Sequence, residues 1–167
     1  MKNIFVFVLT LSTLLALWSC GDDDNSSSAP KNLYFLKMKV DGALKEYDTC
    51  WLYGSGQNIN ILAGKPGDYT GAYVNDTKAI GVGTYLHTMI NPGTNLPMAG
   101  LGAYRAPGSA DIYISYQAGW PQYEATVTFT TFEPNVATGT FSGQMRQING
   151  DIVLTVTEGE FRAYIKN

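Results

Sequence analysis

Carboxylates are the side chains of this sequence with the clearest potential for acid–base chemistry. Glu158 and Glu160 are two residues apart in a strand-like segment, so we expect both to project from one face of a sheet. Glu124 and Glu133 flank another such segment. Glycosidases hold two carboxylates about 5 to 10 Å apart, and same-face neighbours on one strand fall roughly within that range. A carboxylate-based glycan hydrolase is therefore one hypothesis, although solvated charges at a sheet edge are the commoner use of this pattern.

Other catalytic chemistry has little support. The chain has a single histidine, His87, and no G-x-S-x-G nucleophile pattern, because Ser142 lies one place late in Gly139-Thr140-Phe141-Ser142-Gly143. A zinc site needs three or four nitrogen and sulfur ligands, and one histidine with Cys50 does not supply them. We expect Cys50 to be a buried core thiol. The sequence therefore predicts no cofactor and no metal.

Aromatic side chains beside turns are the positive indication of binding. Sugar-binding proteins stack such rings on the apolar face of a pyranose, while neighbouring amides bond its hydroxyl groups. The segment from Tyr116 to Tyr123 combines rings with glutamine, glycine and proline. Packing of this loop onto the body of the domain is the competing interpretation. The candidate ligand-binding residues are Tyr104, Tyr116, Trp120 and Tyr123.

Short strands must position these residues, because no apolar period of 3.6 residues continues for ten positions. Turn-forming sequences rich in glycine, proline and asparagine separate segments of strand-like pattern. These features predict an all-β fold, an antiparallel β-sandwich or open barrel of about 8–10 strands. The predicted strands are 33–40, 47–53, 58–63, 69–74, 79–87, 110–117, 123–132, 138–147, 152–157 and 159–165.

The last third of the chain predicts a meander of three or four strands. Thr126 to Thr130 alternates strictly, and Asn149-Gly150 is a turn sequence between two later strands. Glu158-Gly159 is interpreted as the turn that introduces the final strand. Near the start of the domain, Asp41-Gly42 predicts a hairpin.

The first 20 residues have the pattern of a secretory signal. Lys2 precedes an apolar run of about 15 residues, too short to cross a bilayer comfortably. Leu17-Trp18-Ser19-Cys20 resembles the lipobox of bacterial lipoproteins. This resemblance implies cleavage of residues 1–19 and lipidation of Cys20, and two or three acyl chains form a stable membrane anchor.

Residues 20–31 are predicted to be a disordered tether, since the acidic and serine-rich stretch offers no apolar side chain to bury. Residues 32–167 are then a single β-sandwich domain. The net charge of the whole chain is −3, and there is no basic cluster. Nucleic acid is therefore not expected as a partner.

Two motifs carry a family resemblance. The ending, with Gly139-Thr140-Phe141-Ser142-Gly143, Asn149-Gly150 and Val156-Thr157-Glu158-Gly159-Glu160-Phe161, resembles that of small Bacteroidetes lipoproteins of unknown function. The strand Met38-Lys39-Val40-Asp41-Gly42 is similar to their first strand. The acidic tract after Cys20 also resembles their export signal, which implies the outer face of the outer membrane. The resemblance implies a β-sandwich and a location, and it offers no catalytic residue to carry over to this chain.

The sequence therefore predicts a membrane-anchored lipoprotein, on the cell surface or in the periplasm, that acts as a non-catalytic binding or interaction module. A glycan or a protein is the expected ligand. The alternatives are the carboxylate-based hydrolase and a purely structural component of the envelope.

Overall fold

Strands account for the regular structure of the described residues, which are 33–65, 68–121 and 123–166 of a computed structural model. The predicted signal peptide, Cys20 and tether lie outside them. The all-β prediction is confirmed, and within the described residues no helix is available to cross a bilayer. The strands are β1 (Phe35–Val40), β2 (Ala43–Tyr47), β3 (Cys50–Ser55), β4 (Asn58–Lys65), β5 (Asp68–Asn75), β6 (Gly83–Leu86), β7 (Ile90–Asn91), β8 (Leu96–Pro97), β9 (Ala99–Gly102), β10 (Tyr104–Arg105), β11 (Ile112–Ile114), β12 (Ala125–Glu133), β13 (Val136–Gln147) and β14 (Val153–Ile165).

Alternation of apolar and polar side chains sets the two sides of each strand. In β1, Leu36, Met38 and Val40 are buried while the residues between them face outward. The turn into β2 has positive φ at both central residues, 48° at Asp41 and 81° at Gly42. This is the type I′ geometry that matches the twist of a hairpin, so the hairpin predicted at Asp41-Gly42 is confirmed.

Twelve of the strands form one continuous sheet that folds into two layers. The order β6-β12-β13-β14-β1-β2 makes an antiparallel layer, here called the meander layer. The order β3-β4-β5-β9 makes a second antiparallel layer, here called the hairpin layer. The meander expected near the C-terminus is confirmed as β12-β13-β14.

The two longest strands join the layers at their corners. The end of β13 pairs with β11, and the end of β14 pairs with β3. Across the interior, β9 lies against β12 and β13. The inward side chains of both layers form one apolar core in the described part of the chain, with Phe129, Phe161, Leu52 and Ile61 each at most 1% exposed.

Two expectations need correction. The predicted strands 152–157 and 159–165 are one strand, β14, because Glu158 takes a φ of 51° and is absorbed as a bulge opposite Phe141 to Gly143. The sheet is also not wholly antiparallel, since Trp51 and Leu52 of β3 run parallel to Tyr164 and Ile165 of β14. The described residues include ten strands of four residues or more, within the predicted range.

Candidate functional site

Aromatic rings cover the outward side of the hairpin layer, which we call the aromatic face. In β3 the core residues Cys50 and Leu52 alternate with outward Trp51 and Tyr53, and Tyr53 is 60% exposed. Tyr69 of β5 meets Trp51 edge to face, with ring centroids 5.5 Å apart. Strand pairing therefore places these rings side by side at the surface.

A hollow opens where the aromatic face meets the end of β14. Tyr164 is the register partner of Trp51, is 45% exposed, and contacts Tyr34 edge to face at 5.6 Å. The hollow has a volume of about 530 Å³, which is in the range of small-molecule sites. Its polar groups come from the turn before β3. The lining residues are Leu33, Tyr34, Asp48, Thr49, Cys50, Trp51 and Tyr164.

Tyr73 closes the other side of the aromatic face. Its ring lies on Gly100 of β9, where a Cβ atom would come within 2.2 Å of the ring. Burial, followed by the neighbouring Tyr116 hydroxyl, raises the pKa of Tyr73 to about 12, and a hydrogen bond with Ser115 opposes that rise. Tyr116, predicted from the sequence as a ligand residue, is thereby brought next to this face.

Apart from Lys65 and Asp68, at the adjoining ends of β4 and β5, strands β3, β4, β5 and β9 contain no charged residue. Between the rings, β4 presents the exposed amides of Asn58 and Asn60. Asn60 lies between Tyr53 and Tyr73 in the cross-strand register. Rings with amides between them are the combination that binds sugar rings and their hydroxyl groups.

The other predicted ligand residues differ in burial and in contacts. Tyr104 is 3% exposed and packs beside Tyr113 in the core, so its ring has no face to offer a ligand. Trp120 holds the guanidinium of Arg146 at 5.0 Å from its ring, a cation–π contact. Tyr123 is half-buried just before β12. Burial therefore removes Tyr104 from a surface site, while Tyr116, Trp120 and Tyr123 stay partly exposed.

Glu158 and Glu160, the predicted same-face carboxylates, both pair with lysines of β1. The Glu160 carboxylate is 2.6 Å from Lys37 Nζ, and the Glu158 carboxylate is 2.7 Å from Lys39 Nζ. These pairs are exposed on the outer side of the meander layer. Each carboxylate is therefore already occupied by an ammonium partner.

Glu124 and Glu133 lie at opposite ends of β12. Nine residues of extended chain place their backbones about 30 Å apart, well beyond the separation that a glycosidase pair needs. His87 is tied to the same strand, because the Ala125 backbone N–H donates a hydrogen bond to its Nδ1 at 3.2 Å. Its position is explained by this contact with the backbone.

Cys50 is a core thiol, as predicted, with 2% exposure, and burial raises its pKa to about 12. A thiol with such a pKa is almost fully protonated at neutral pH and is a weak nucleophile. Within the described ranges, no group of three or more histidine, cysteine or acidic side chains is arranged to hold a metal ion.

No protein-family model, curated protein or solved structure matches the chain. The resemblance to small Bacteroidetes lipoproteins therefore stays a prediction, and the geometry of the domain itself is the basis for a proposed function.

The sequence did contain a signal for the aromatic face. Trp51 and Tyr53 alternate with Cys50 and Leu52 along the sequence. Alternate residues of a strand point to the same side, so this pattern predicts that the two rings share one face. The pairing of Trp51 with Tyr164 joins residues more than one hundred positions apart, and local pattern does not reveal it. The rings beside turn sequences instead favoured the segment from Tyr116 to Tyr123 as the ligand-binding site.

Proposed function

We propose that this protein is a lipid-anchored, non-catalytic glycan-binding module of the bacterial envelope, exposed at the outer membrane. The sugar chain lies along the aromatic face and enters the hollow beside Trp51 and Tyr164. Cys20 carries the anchor, and the acidic tether holds the domain away from the lipid.

The observation that carries this proposal is the outward placement of Trp51, Tyr53 and Tyr164 on adjoining strands. Rings of this size bury a large apolar area when they lie in a core. Placed outside, they leave that area in water until something covers it. A pyranose ring offers a flat apolar face of matching size, and Asn58 and Asn60 offer partners for its hydroxyl groups.

The scarcity of charge on these strands favours a neutral sugar chain. A charged polysaccharide gains nothing from Trp51 and Tyr53 beyond stacking, because electrostatic complementarity needs opposing charges. Asp48, at the rim of the hollow, repels anionic sugars. Neutral glucose, galactose, mannose or xylose polymers are the expected class.

The test is a screen of neutral and acidic glycans with the whole chain in a detergent that has no sugar headgroup. Hits are titrated by isothermal calorimetry. Trp51→Ala is expected to weaken binding of the best neutral ligand by about tenfold or more, the equivalent of about 1.4 kcal/mol. Trp120→Ala is the matched control, since Trp120 lies on a loop against Arg146 and should leave affinity unchanged.

Two outcomes contradict the proposal. If no neutral glycan binds at millimolar concentration, the aromatic face has another partner, and a structural role in the envelope or docking of a protein becomes the better account. If Trp120→Ala removes binding and Trp51→Ala does not, the ligand lies on the loop from Tyr116 to Tyr123 instead.

The anchor is tested separately. Mass spectrometry of the mature protein should find acyl chains on an N-terminal Cys20, and Cys20→Ser should release the domain from the membrane fraction. Recovery of an unmodified Cys20, or of a chain that keeps residues 1–19, would contradict this part of the proposal.

The hydrolase alternative is distinguished by its carboxylates. Glu158→Gln and Glu160→Gln would each abolish sugar cleavage by an enzyme, whereas a binding module shows no cleavage and keeps its affinity in both variants. Incubation of the best ligand with the purified protein, followed by chromatography of the products, separates the two cases.

A further inference from the structure

Threonine and serine side chains dominate the outward side of the meander layer. Cross-strand hydroxyl contacts link several of them, for example Thr84 with Thr128 at 3.0 Å and Thr130 with Thr138 at 2.9 Å. We call this surface the threonine face. Its members are Thr84, Thr126, Thr128, Thr130, Thr138, Thr140 and Ser142.

Arg162 of β14 is a cation beside the threonine face, and it has no ion-pair partner among the described residues. Strands β1 and β14 carry three cations, and two of them, Lys37 and Lys39, contact carboxylates at 2.6 and 2.7 Å. Among the described residues, no carboxylate pairs with Arg162. A guanidinium stays charged at any physiological pH, so this positive charge is uncompensated.

The Nε atom of Arg162 is also buried and has no hydrogen-bond partner among the described residues. A buried donor without an acceptor costs free energy, and a charged one costs more. Native structures rarely keep such a donor without a reason. Because Nε is closed to water, a ligand would reach the guanidinium through its terminal nitrogens, which are not among the buried atoms without a partner.

A hollow surrounds this side chain. In the register of the sheet, Arg162 lies between Thr138 of β13 and Phe35 of β1. The hollow has a volume of about 400 Å³, enough for a monosaccharide unit. Its lining residues are Phe35, Thr130, Thr138, Gly139, Thr140, Glu160, Phe161 and Arg162.

Charge at the hollow favours an anion. Glu160 is the one acidic residue of the lining, and its carboxylate is already held by Lys37. The pair is neutral in sum, which leaves the charge of Arg162 to act on a ligand. The planar guanidinium matches a carboxylate through two parallel hydrogen bonds, better than it matches a hydroxyl group.

We propose that the hollow around Arg162 binds the carboxylate of a uronic acid residue, a second glycan site on the outward side of the meander layer. The Thr138 and Thr140 hydroxyls bond the sugar hydroxyls, and the Phe35 ring packs against the apolar side of the pyranose. A peptide carboxylate would use the guanidinium equally well but would leave these hydroxyls and this ring without matching partners. The inference goes beyond the neutral-glycan function, since it concerns other residues and a charged ligand.

The test compares a trimer of galacturonic acid with its methyl ester, which has the same size and shape without the charges. Both are titrated into the whole chain in sugar-free detergent by isothermal calorimetry. The acid is expected to bind at least about tenfold more tightly than the ester. Equal affinity of the two, or no binding of the acid at millimolar concentration, overturns the proposal.

Arg162→Met and Lys39→Met each remove one positive charge, and comparing them locates the site. Arg162→Met should weaken acid binding by about tenfold or more, and Arg162→Lys should recover only part of it, because an ammonium lacks the planar fork. Lys39→Met is the matched control, since Lys39 faces the same side but is held by Glu158. Equal losses in the two methionine variants would show nonspecific attraction and would overturn the proposal.

Folding and the neutral-glycan function are controlled separately. Thr138→Val keeps the side-chain shape and removes one hydroxyl, so it should weaken acid binding several-fold even if Arg162→Met unfolds the chain. Unchanged acid binding in Thr138→Val overturns the role of the hydroxyls. Trp51→Ala should leave acid binding intact, and Arg162→Met should leave neutral binding intact, so failure of either site is distinguishable from failure of the other.

Discussion

The two layers of this domain differ in how their central strands place aromatic rings. In the meander layer, Phe129, Phe141 and Phe161 point inward and are 1 to 3% exposed. The ring centroid of Phe161 lies 5.5 Å from that of Phe129 and 6.5 Å from that of Phe141. In the hairpin layer the inward residues are aliphatic or small, such as Ile61 and Ala63, and the rings point outward.

Glycines mirror this difference. Inward Gly139 and Gly159 leave room for phenylalanine rings, since a Cβ at either would come within 3 Å of Phe161 or Phe141. In the hairpin layer Gly100 faces outward, beneath Tyr73. Glycines therefore make room for aromatic rings in the core of one layer and on the surface of the other. Rings that contribute little to the core need another explanation, and ligand binding is the one we propose.

The largest expected effect of this contrast is on stability. Phe161→Ala should lower the free energy of unfolding by about 3–5 kcal/mol, because the ring is fully packed. Trp51→Ala should cost less than about 2 kcal/mol, because its ring lies on the outward side of β3 and is only partly buried. Urea unfolding followed by circular dichroism measures both. A greater loss in Trp51→Ala than in Phe161→Ala would show that the outer rings are structural.

A pair of cross-strand glycines sharpens the comparison within the hairpin layer. Gly71 and Gly102 are register partners. A Cβ at Gly71 would come within 1.7 Å of the Ile61 carbonyl oxygen, whereas one at Gly102 meets nothing within 4 Å. Gly71→Ala should therefore cost roughly 2–3 kcal/mol of unfolding free energy, measured by urea unfolding.

Gly102→Ala is the control and should stay within about 0.5 kcal/mol of the unmodified chain. If the two substitutions prove equally harmless, β4 and β5 are not as closely apposed at Gly71 as the structure places them, and the flat base of the aromatic face would have to be reconsidered.

The strands were largely predictable because their signals are local. The alternation in β1, the pair Asp41-Gly42 and the turn at Asn149-Gly150 each act within a few residues. The single strand β14 was not predicted, since the inward residues step from Val156 to Gly159 and then resume every second position. A turn and a bulge would both interrupt the alternation of inward and outward residues in this way. Only the pairing with β13 shows that the interruption is a bulge.

The candidate site was less predictable than the fold. Trp51 and Tyr53 belong together by alternation, but Tyr164 joins them through a parallel pairing at the corner of the sheet. In the sequence, Arg162 has the pattern of an ordinary outward cation of a strand. Its lack of an ion-pair partner depends on which residues lie across from it in β1 and β13. Long-range register, which a single sequence does not state, decides both sites.

A third prediction concerns alkaline pH and the aromatic face. The pKa of Tyr73 is raised to about 12 in the folded domain, against about 10 for an unfolded tyrosine. Between these values the unfolded chain has released the proton and the folded chain has kept it. The contribution of Tyr73 is therefore complete below pH 10 and is lost as pH rises toward 12.

The pH dependence of unfolding measures this effect. Allowing for the partial exposure of Tyr73, we expect a loss of about 1–2 kcal/mol between pH 10 and 12. Tyr73→Phe should show a shallower decline over the same window, because phenylalanine does not ionise. An identical slope in the variant would mean that the ring is more open to water than its contacts with Gly100 and Ser115 indicate.

The smallest expected effect lies in the ion pairs at the edge of the threonine face. Lys39 and Glu158 are 2.7 Å apart, but their side chains are 38% and 68% exposed. A double-mutant cycle with Lys39→Met and Glu158→Gln should give a coupling energy below about 1 kcal/mol, reduced further by 1 M salt. A coupling above about 2 kcal/mol that resists salt would contradict this expectation. Such a value would mean that the pair is held rigidly, so Lys39 could no longer serve as a matched control for Arg162, and the charge of this face would have to be treated as one network.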